Sequence, residues 1–253
     1  MIQPEFKETR LRALLSLLYG IAVYAFFLAT FTYTIGFIGN VYVPKSIDSG
    51  AAAPLAQALI VDLALLGVFA VQHSVMARRA FKRWWTRIVP PALERSTFVL
   101  AATLALALLL WQWRTIAEPV LWRVENAAAV EALWAVYWLG WSVLLVSTFL
   151  INHFELFGLR QVFARMRGRQ VPEPEFRTPF FYRYVRHPIY LGFVLTFWAA
   201  PVMTAGHLLF ALGATGYILV GIWFEERDLV AQFGDTYRRY RSQVGMLLPG
   251  RRS

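Results

Sequence analysis

The sequence of 253 residues predicts an all-α integral membrane protein, and three observations lead to this fold class. Apolar residues make up 58% of the chain and charged residues 16%, against about 45–50% and about 25% in soluble proteins. The mean hydropathy is +0.49. The apolar residues lie in long runs that are almost free of charge, with most arginines between the runs. The net charge of +10 therefore indicates membrane topology, and no nucleic-acid partner is expected.

The lengths of the apolar runs predict six membrane crossings, because a helix needs about 20 apolar residues to cross the hydrocarbon core. The first four runs are residues 11–38, 55–77, 96–113 and 130–151. The first run is too long for a signal peptide and lacks a small-residue cleavage site, so no cleavable signal peptide is expected.

A fifth apolar stretch, residues 189–224, is too long for one crossing. It is interrupted by Pro201, Gly206 and His207. We therefore expect a tight hairpin of two helices, over about 189–203 and 207–224, which completes the six crossings.

The distribution of basic residues predicts that both termini face the cytoplasm. With six crossings, all but three of the 25 lysines and arginines fall in the two termini and the two loops on the same side. The three others are Lys45, Arg114 and Arg123. Basic residues accumulate on the cytoplasmic side of membrane proteins, and five or seven crossings would remove the asymmetry. A site for a water-soluble cofactor is therefore expected to face the cytoplasm.

Two cytoplasmic segments carry most of the polar sequence. Residues 160–187 are basic and rich in proline, which predicts a structured loop rather than a helix. The tail from Glu225, EERDLVAQFGDTYRRYRSQV, predicts a charged C-terminal helix. Its large apolar and aromatic residues recur at helical spacing: Leu229, Phe233, Tyr237 and Tyr240.

Asp62 and His73 are ionisable residues in the second crossing, where charged groups are costly and mark functional candidates. Eleven residues are about three helical turns, so the two side chains share a face of the helix. The alternative is that both turn inward only to form hydrogen bonds with neighbouring helices.

The end of the fourth crossing carries a second polar group, Asn152, His153 and Glu155. Asn152 and Glu155 are neighbours on one helix face, and His153 points about 100° away. Capping of a helix end explains Asn152 alone, and three such residues at the edge of the hydrocarbon favour a site. No metal is expected, because the chain has no cysteine and its histidines lack a spacing such as HxxxH.

The densest polar motif opens the fifth crossing with Arg186, His187 and Pro188. Proline is favoured in the first turn of a helix, so His187 lies at a helix start that favours anions. Arg186 suits a carboxylate. Tyr190 lies about one turn into the helix, and Gly192 allows close approach.

The predicted hairpin returns the chain to the same face at Glu225, Glu226 and Arg227. A cationic helix start opposite two carboxylates suits a ligand with both an ammonium and a carboxylate group, such as S-adenosylmethionine. None of the 16 glycines is spaced Gly-x-Gly, which excludes a soluble Rossmann-type site and requires a membrane-embedded one. The alternative is a set of salt bridges at the level of the lipid headgroups.

These motifs, RHPIYLG followed by EERDL and FGDTYRRY, resemble the integral-membrane methyltransferases typified by isoprenylcysteine carboxyl methyltransferase and the phospholipid N-methyltransferases. Four further segments are similar to the bacterial methanethiol S-methyltransferase family, nearly end to end. They are VPKSIDSG (43–50), AVQHSVMAR (70–78), FKRWWTRIVPPALERSTFVL (81–100) and STFLINHFELFGLRQV (147–162). Some sterol reductases share a similar RHP-type block, but the chain has no recognisable dinucleotide-binding stretch.

The resemblance implies methyl transfer from S-adenosylmethionine to methanethiol, which yields dimethyl sulfide and S-adenosylhomocysteine. It also implies one domain, residues 1–253, in a bacterial inner membrane, with the acceptor side in 1–160 and the cofactor side in 161–253. The expected partners are a small-molecule thiol and the lipid bilayer. The alternatives are a prenylcysteine-like carboxylate or a phospholipid amine as acceptor, and a non-catalytic binding or assembly protein.

The same resemblance assigns the site residues. The expected cofactor residues are Gln161, Arg186, His187, Tyr190, Gly192, Glu225, Glu226 and Arg227. A thiol reacts as its thiolate, so a proton acceptor is expected near the acceptor sulfur. We expect His73 or His153 in this role, oriented by Asn152 and Glu155.

Overall fold

The computed structural model describes residues 10–51, 53–172 and 175–250. Within those ranges, five helices are long and apolar enough to cross a membrane. They are α1 (Arg10–Gly39), α2 (Leu55–Ala77), α4 (Pro91–Gln112), α5 (Ala127–Ile151) and α9 (Ala205–Phe233). The shorter helices are α3 (Arg79–Trp85), α6 (His153–Leu156), α7 (Leu159–Met166), α8 (Pro188–Trp198) and α10 (Asp235–Gln243). The expected all-α integral membrane fold is confirmed.

The first four apolar runs form α1, α2, α4 and α5, so the four predicted helices are confirmed, and each is long and apolar enough to cross a membrane. Helix α4 begins five residues before its apolar run, because Pro91 fits the first turn of a helix. Helix α5 begins three residues early because the Asn126 side chain accepts a hydrogen bond from the N–H of Ala129, at 3.0 Å.

The predicted hairpin is present, but its first helix is shorter than expected. Helix α8 ends at Trp198, and its 11 residues span about 16 Å, which is less than the hydrocarbon thickness. The chain then runs through Pro201 into strand β2 (Val202–Thr204), which pairs antiparallel with β1 (Val120–Arg123). Proline cannot continue the helix, so the predicted helix over 189–203 is corrected. The count of six crossings and the orientation stay predictions.

The second helix of the hairpin is longer than expected. Helix α9 continues past residue 224 to Phe233, so the charged segment EERDLVAQF belongs to it and not to a separate helix. The break lies at Gly234, whose positive φ of 56° favours glycine, and α10 follows. The prediction of one charged helix from Glu225 is therefore wrong, although both parts of the segment are helical on either side of Gly234.

The prediction of a loop over 160–187 is wrong at its start. Residues up to Met166 form α7, because this part contains no proline and holds apolar side chains at helical spacing. Beyond α7, the described residues are irregular apart from a short 3₁₀ helix, Phe180–Arg183. Helix α7 packs against α1 and α4.

Residues 40–50 fold over one end of the bundle. Ile47 is fully buried, and its N–H donates to Phe37 O at 3.0 Å. The carboxylate of Asp48 accepts hydrogen bonds from Asn40 Nδ2, at 2.7 Å, and from the Thr204 hydroxyl. Beneath this loop, the buried carboxylate of Asp62 accepts the N–H of Arg114, at 2.8 Å. These contacts support the interpretation that Asp62 turns inward to bond neighbouring segments.

The opposite end of the bundle, here called the basic end, is where α2, α5 and α9 end and where α4 and α8 begin. Three contacts bring these helix ends together. Arg78 Nη1 lies 3.4 Å from Asp228 Oδ2, and Arg95 Nε donates to Leu156 O at 2.6 Å. The third contact, the ion pair between Arg186 and Glu226, joins the start of α8 to α9. Helix α8 packs against α5 and α9, and α9 packs against α2.

Candidate functional site

The α8–α9 cluster consists of Arg186, His187, Glu225 and Glu226, at the basic end. Arg186 Nε donates to Glu226 Oε1 at 2.7 Å, and His187 Nε2 lies 3.2 Å from the same oxygen. His187 Nδ1 lies 3.8 Å from Glu225 Oε2. Because α8 and α9 are joined by a hairpin, the start of α8 lies beside the last third of α9, where Glu225 and Glu226 are found. The predicted proximity of the two motifs is confirmed, whereas their cofactor-binding role stays a prediction.

The C-terminal segment after α10 is an unanticipated part of this cluster. Arg186 Nη1 donates to Arg241 O at 3.1 Å and to Val244 O, and the Arg186 N–H donates to Gly245 O at 2.9 Å. The His187 N–H donates to Met246 O at 3.2 Å. The RHP motif is therefore held by the tail as well as by Glu226. Nothing in the sequence pattern marked residues 244–246, because the contact depends on backbone carbonyls.

The two glutamates differ in their charge environment. Glu226 is 13% exposed and faces Arg186, His187 and Arg241, whose Nη1 lies 3.8 Å from Glu226 Oε2. Glu225 is 44% exposed, and its Oε2 lies 3.8 Å from His187 Nδ1. Glu226 is therefore committed to internal ion pairs, whereas the carboxylate of Glu225 is accessible to a ligand.

Tyrosines surround the cluster. Tyr190 lies 5.7 Å from the His187 ring, measured between ring centroids, and within electrostatic range of Glu225. Burial raises the pKa of Tyr240 to about 12 and raises the pKa of Tyr182 and Tyr237 above the ordinary value. These phenols stay protonated at neutral pH and can donate hydrogen bonds. The Tyr237 hydroxyl is buried and has no partner among the described residues.

Three expected cofactor residues lie elsewhere. Gly192 faces α5, and a Cβ added to Gly192 would lie 2.6 Å from Gly140 O. The absence of a side chain at Gly192 therefore lets α8 approach α5 closely. The Arg227 guanidinium lies over the rings of Trp223 and Phe224, at 5.4 and 5.5 Å from their centroids. These contacts are with helices and aromatic rings, and the cofactor-binding role of both residues stays a prediction.

Gln161 is the third expected cofactor residue that lies outside the α8–α9 cluster. It belongs to the α5–α7 cluster, which consists of Asn152, Glu155, Arg160 and Gln161. Its Nε2 donates to Glu155 O at 3.1 Å. Asn152 caps α6: its side-chain oxygen accepts the Glu155 N–H at 3.3 Å, and its Nδ2 donates to Glu155 Oε2 at 2.8 Å. Arg160 pairs with the same carboxylate. Asn152 and Glu155 are thus neighbours as expected, in an arrangement that caps a helix.

His153 is 4% exposed and joins two helices. Its Nε2 lies 2.6 Å from the Tyr24 hydroxyl of α1, and its Nδ1 lies 2.8 Å from the Thr148 hydroxyl of α5. Its ring stacks on Phe149 at 4.2 Å between centroids. Burial lowers the pKa of His153. Both ring nitrogens of His153 are thus hydrogen-bonded within the protein, and its role as a proton acceptor stays a prediction.

His73 has the opposite surroundings. Its ring lies among Phe69, Phe98 and Tyr217, with centroids at 5.4, 4.9 and 6.3 Å. Its Nδ1 is buried and has no hydrogen-bond partner within the part of the chain that the structure describes. Tyr217 accepts a hydrogen bond from the Ser74 hydroxyl at 3.3 Å. Tyr217 was not anticipated, because an aromatic residue in an apolar run carries no distinguishing pattern.

Across residues 10–51, 53–172 and 175–250, no group of three or more histidine or acidic side chains is placed to hold a metal ion. In and around the α8–α9 cluster, three kinds of group could hold a small ligand. They are the Glu225 carboxylate, the guanidinium of Arg241, whose side chain is 48% exposed, and the surrounding phenols.

Five long apolar helices, with a buried ion pair at the basic end of the bundle, define a polytopic integral membrane protein with an internal polar site. Comparison with known proteins specifies the family. A methanethiol S-methyltransferase of Mycobacterium tuberculosis is 62% identical over 235 residues, which are 93% of this chain and 96% of the relative. Methanethiol S-methyltransferase 1 of Bradyrhizobium diazoefficiens is 53% identical over 252 residues, 100% of this chain and 88% of the relative.

The chain belongs to the methanethiol S-methyltransferase family, which makes it a transferase and confirms the expected resemblance. Nurim of Mus musculus is more distantly similar, with 32% identity over 179 residues, 66% of each chain. No family model and no solved structure matches the chain.

Proposed function

We propose that this protein transfers a methyl group from S-adenosylmethionine to methanethiol, which yields dimethyl sulfide and S-adenosylhomocysteine. The relatives named for this activity cover nearly the whole chain. The structural observation that carries the proposal is the α8–α9 cluster, in which the half-exposed carboxylate of Glu225 lies beside a buried ion pair.

The residues of the cluster fit a zwitterionic amino-acid group. Glu225 is half exposed and has no cation at hydrogen-bond distance among the described residues, so it would accept hydrogen bonds from an ammonium group. Arg241 is half exposed and only loosely paired with Glu226, at 3.8 Å, so it would pair with a carboxylate. The unpartnered hydroxyl of Tyr237 offers a donor that burial would otherwise leave unsatisfied.

S-adenosylmethionine, when bound, supplies a methyl group on a positively charged sulfur. The chain aligns the acceptor with this methyl group and excludes water, which is the main contribution that a protein makes to such a displacement. The ring of Tyr190 offers an aromatic face to the cation. The unpartnered nitrogen of His73 accepts the proton of the thiol, so that the acceptor reacts as the thiolate.

We further propose that the protein lies in the bacterial inner membrane with the basic end on the cytoplasmic side. Arg78, Arg95 and Arg186 lie at this end of the bundle. Their accumulation follows the positive-inside rule. This orientation gives the α8–α9 cluster access to a water-soluble donor, whereas a small apolar thiol reaches the bundle through the bilayer.

The experiment is a headspace assay on detergent-purified protein with methyl-labelled S-adenosylmethionine and methanethiol. Labelled dimethyl sulfide and an equal amount of S-adenosylhomocysteine are expected. Parallel reactions contain a phospholipid amine or a prenylcysteine in place of the thiol. Label in either of these acceptors and none in dimethyl sulfide overturns the proposed substrate, and no label in any acceptor overturns the enzymatic function.

A further inference from the structure

We infer that the thiol acceptor binds in an aromatic cage formed by Phe69, His73, Phe98 and Tyr217, and that this cage limits the acceptor to small thiols. The inference rests on the proposed function and names the acceptor site within it. The cage joins α2, which carries Phe69 and His73, to α4 and α9.

The four rings pack around one another. Phe69 stacks on His73 with an interplanar angle of 23°, and Tyr217 meets both rings edge-on, at 80° and 88°. Phe98 is 5% exposed and tilted by 57° against His73. The imidazole is therefore covered by aromatic rings from three directions, a setting suited to a small apolar molecule.

The unpartnered Nδ1 of His73 marks this cage as a ligand site. Buried polar groups in folded proteins are almost always hydrogen-bonded, yet the buried Nδ1 of His73 has no hydrogen-bond partner in the described chain. Ser74 next to it is bonded to Tyr217. A thiol is a weak donor of small size, and it would satisfy the nitrogen without bringing further polar atoms into the cage.

The cage lies deeper in the bundle than the α8–α9 cluster. Tyr217 precedes Glu225 by eight residues of α9, or about 12 Å along the helix. Tyr190 lies beside the cluster, with 5.7 Å between the centroids of its ring and the His187 ring.

The proposed reaction in the cage needs only the thiol, the methyl donor and His73. The S–H proton moves to a ring nitrogen of His73, and the electron pair of the sulfur forms the new carbon–sulfur bond. The electron pair of the broken carbon–sulfur bond stays on the donor sulfur. His153 cannot replace His73, because its two nitrogens are held by Tyr24 and Thr148.

The size of the acceptor follows from the rings that enclose it. Packed interiors respond to a change of a single methylene, and one extra methylene in an apolar pocket changes kcat/KM by about 10- to 200-fold. Phe98 and Tyr217 approach His73 from α4 and α9, with 4.9 and 6.3 Å between ring centroids. We therefore expect a strong preference for methanethiol over 1-propanethiol, which these two side chains set.

The test compares wild-type protein with Phe98→Ala and Tyr217→Ala, each assayed with methanethiol, ethanethiol and 1-propanethiol at a fixed donor concentration. The kcat/KM ratio of 1-propanethiol to methanethiol should rise at least about tenfold in both variants. Phe210→Ala is the matched control: Phe210 is also 5% exposed and lies on α9, and it contacts Trp113 and Phe197, outside the cage. Its ratio should equal that of the wild type.

Two binding measurements accompany the kinetics. Calorimetric titration with S-adenosylhomocysteine should give the same affinity for the wild type and both cage variants. Methyl propyl sulfide, added without donor, should raise the melting temperature of the cage variants more than that of the wild type. If either alanine variant fails to fold, Phe98→Leu and Tyr217→Leu replace the pair, with the same direction expected.

The outcomes separate the two proposals. A wild-type protein that makes dimethyl sulfide, with equal thiol ratios in all variants, overturns the cage and leaves the proposed function standing. A ratio that rises equally in Phe210→Ala also overturns the cage, because it shows a general loosening of the fold. A wild-type protein that methylates no thiol overturns the proposed function.

Discussion

Arg186 and Glu226, which are 40 residues apart, form an ion pair with 2.7 Å between Nε and Oε1. Their side chains are only 6% and 13% exposed. Breaking a buried pair by removing one partner typically costs about 3–5 kcal/mol, because it leaves the other charge uncompensated. The pair closes the α8–α9 hairpin at the basic end and so fixes the position of the neighbouring Glu225.

The first prediction concerns stability. Glu226→Gln should lower the free energy of unfolding by about 3–5 kcal/mol, since it leaves the Arg186 guanidinium without its carboxylate. Glu175→Gln serves as control, because Glu175 pairs with Arg177 on the surface, with 73% of its side chain exposed. Its loss should stay within about 1 kcal/mol. Denaturation in detergent measures both, and similar losses in the two variants would contradict the prediction.

The second prediction concerns ligand affinity. Glu225→Gln should weaken S-adenosylhomocysteine binding by about 10- to 100-fold, the range of a hydrogen bond to a charged group, with little change in melting temperature. Asp228→Asn is the control on the same helix end, because Asp228 pairs with Arg78 and not with the cluster. Isothermal calorimetry gives both affinities. An unchanged affinity in Glu225→Gln would remove this residue from the ligand site.

The third prediction separates the two histidines. His73→Ala should reduce kcat by about 10²–10⁴-fold, the range of acid–base assistance, and should bind S-adenosylhomocysteine normally. His153→Gln should keep its turnover per folded molecule within about tenfold, because His153 has no free nitrogen. Initial rates of dimethyl sulfide formation test this. A larger loss in His153→Gln than in His73→Ala would reverse the assignment.

The fourth prediction concerns pH. Burial lowers the pKa of His153 in the folded protein, while the unfolded chain keeps the ordinary value of about 6.5. The unfolded state therefore binds the proton first, and stability should fall as the pH drops below about 6.5. Melting temperatures between pH 7.5 and 5 should fall less steeply in His153→Gln than in the wild type. Parallel curves for the two proteins would rule out this contribution.

The fifth prediction concerns helix packing. Gly192→Ala should destabilise the protein by about 1–3 kcal/mol through overpacking, because its Cβ would lie 2.6 Å from Gly140 O and 2.8 Å from Leu144 Cβ. Gly216→Ala, on α9, meets no atom within 4 Å and should leave stability unchanged or raise it. Thermal unfolding of both variants provides the comparison. Equal melting temperatures would exclude a tight α5–α8 crossing.

The sequence alone was sufficient for the long helices. Apolar runs of about 20 residues can satisfy their backbone groups in a membrane only as helices, so α1, α2, α4 and α5 follow from composition. The lengths of α8 and α9 did not follow, because hydropathy does not register a short strand after Trp198 or a charged extension to Phe233. Both depend on partners elsewhere, such as β1.

By itself, the sequence predicted that the RHP motif and the glutamate pair meet, since a hairpin of two helices returns the chain to the same end of the bundle. Only the tertiary structure decided which histidine is free: Tyr24 and Thr148 occupy both nitrogens of His153, and aromatic rings surround His73. The physical reason is that helix period and run length act locally along the chain, whereas the bonding state of a buried side chain is set by neighbours from distant segments.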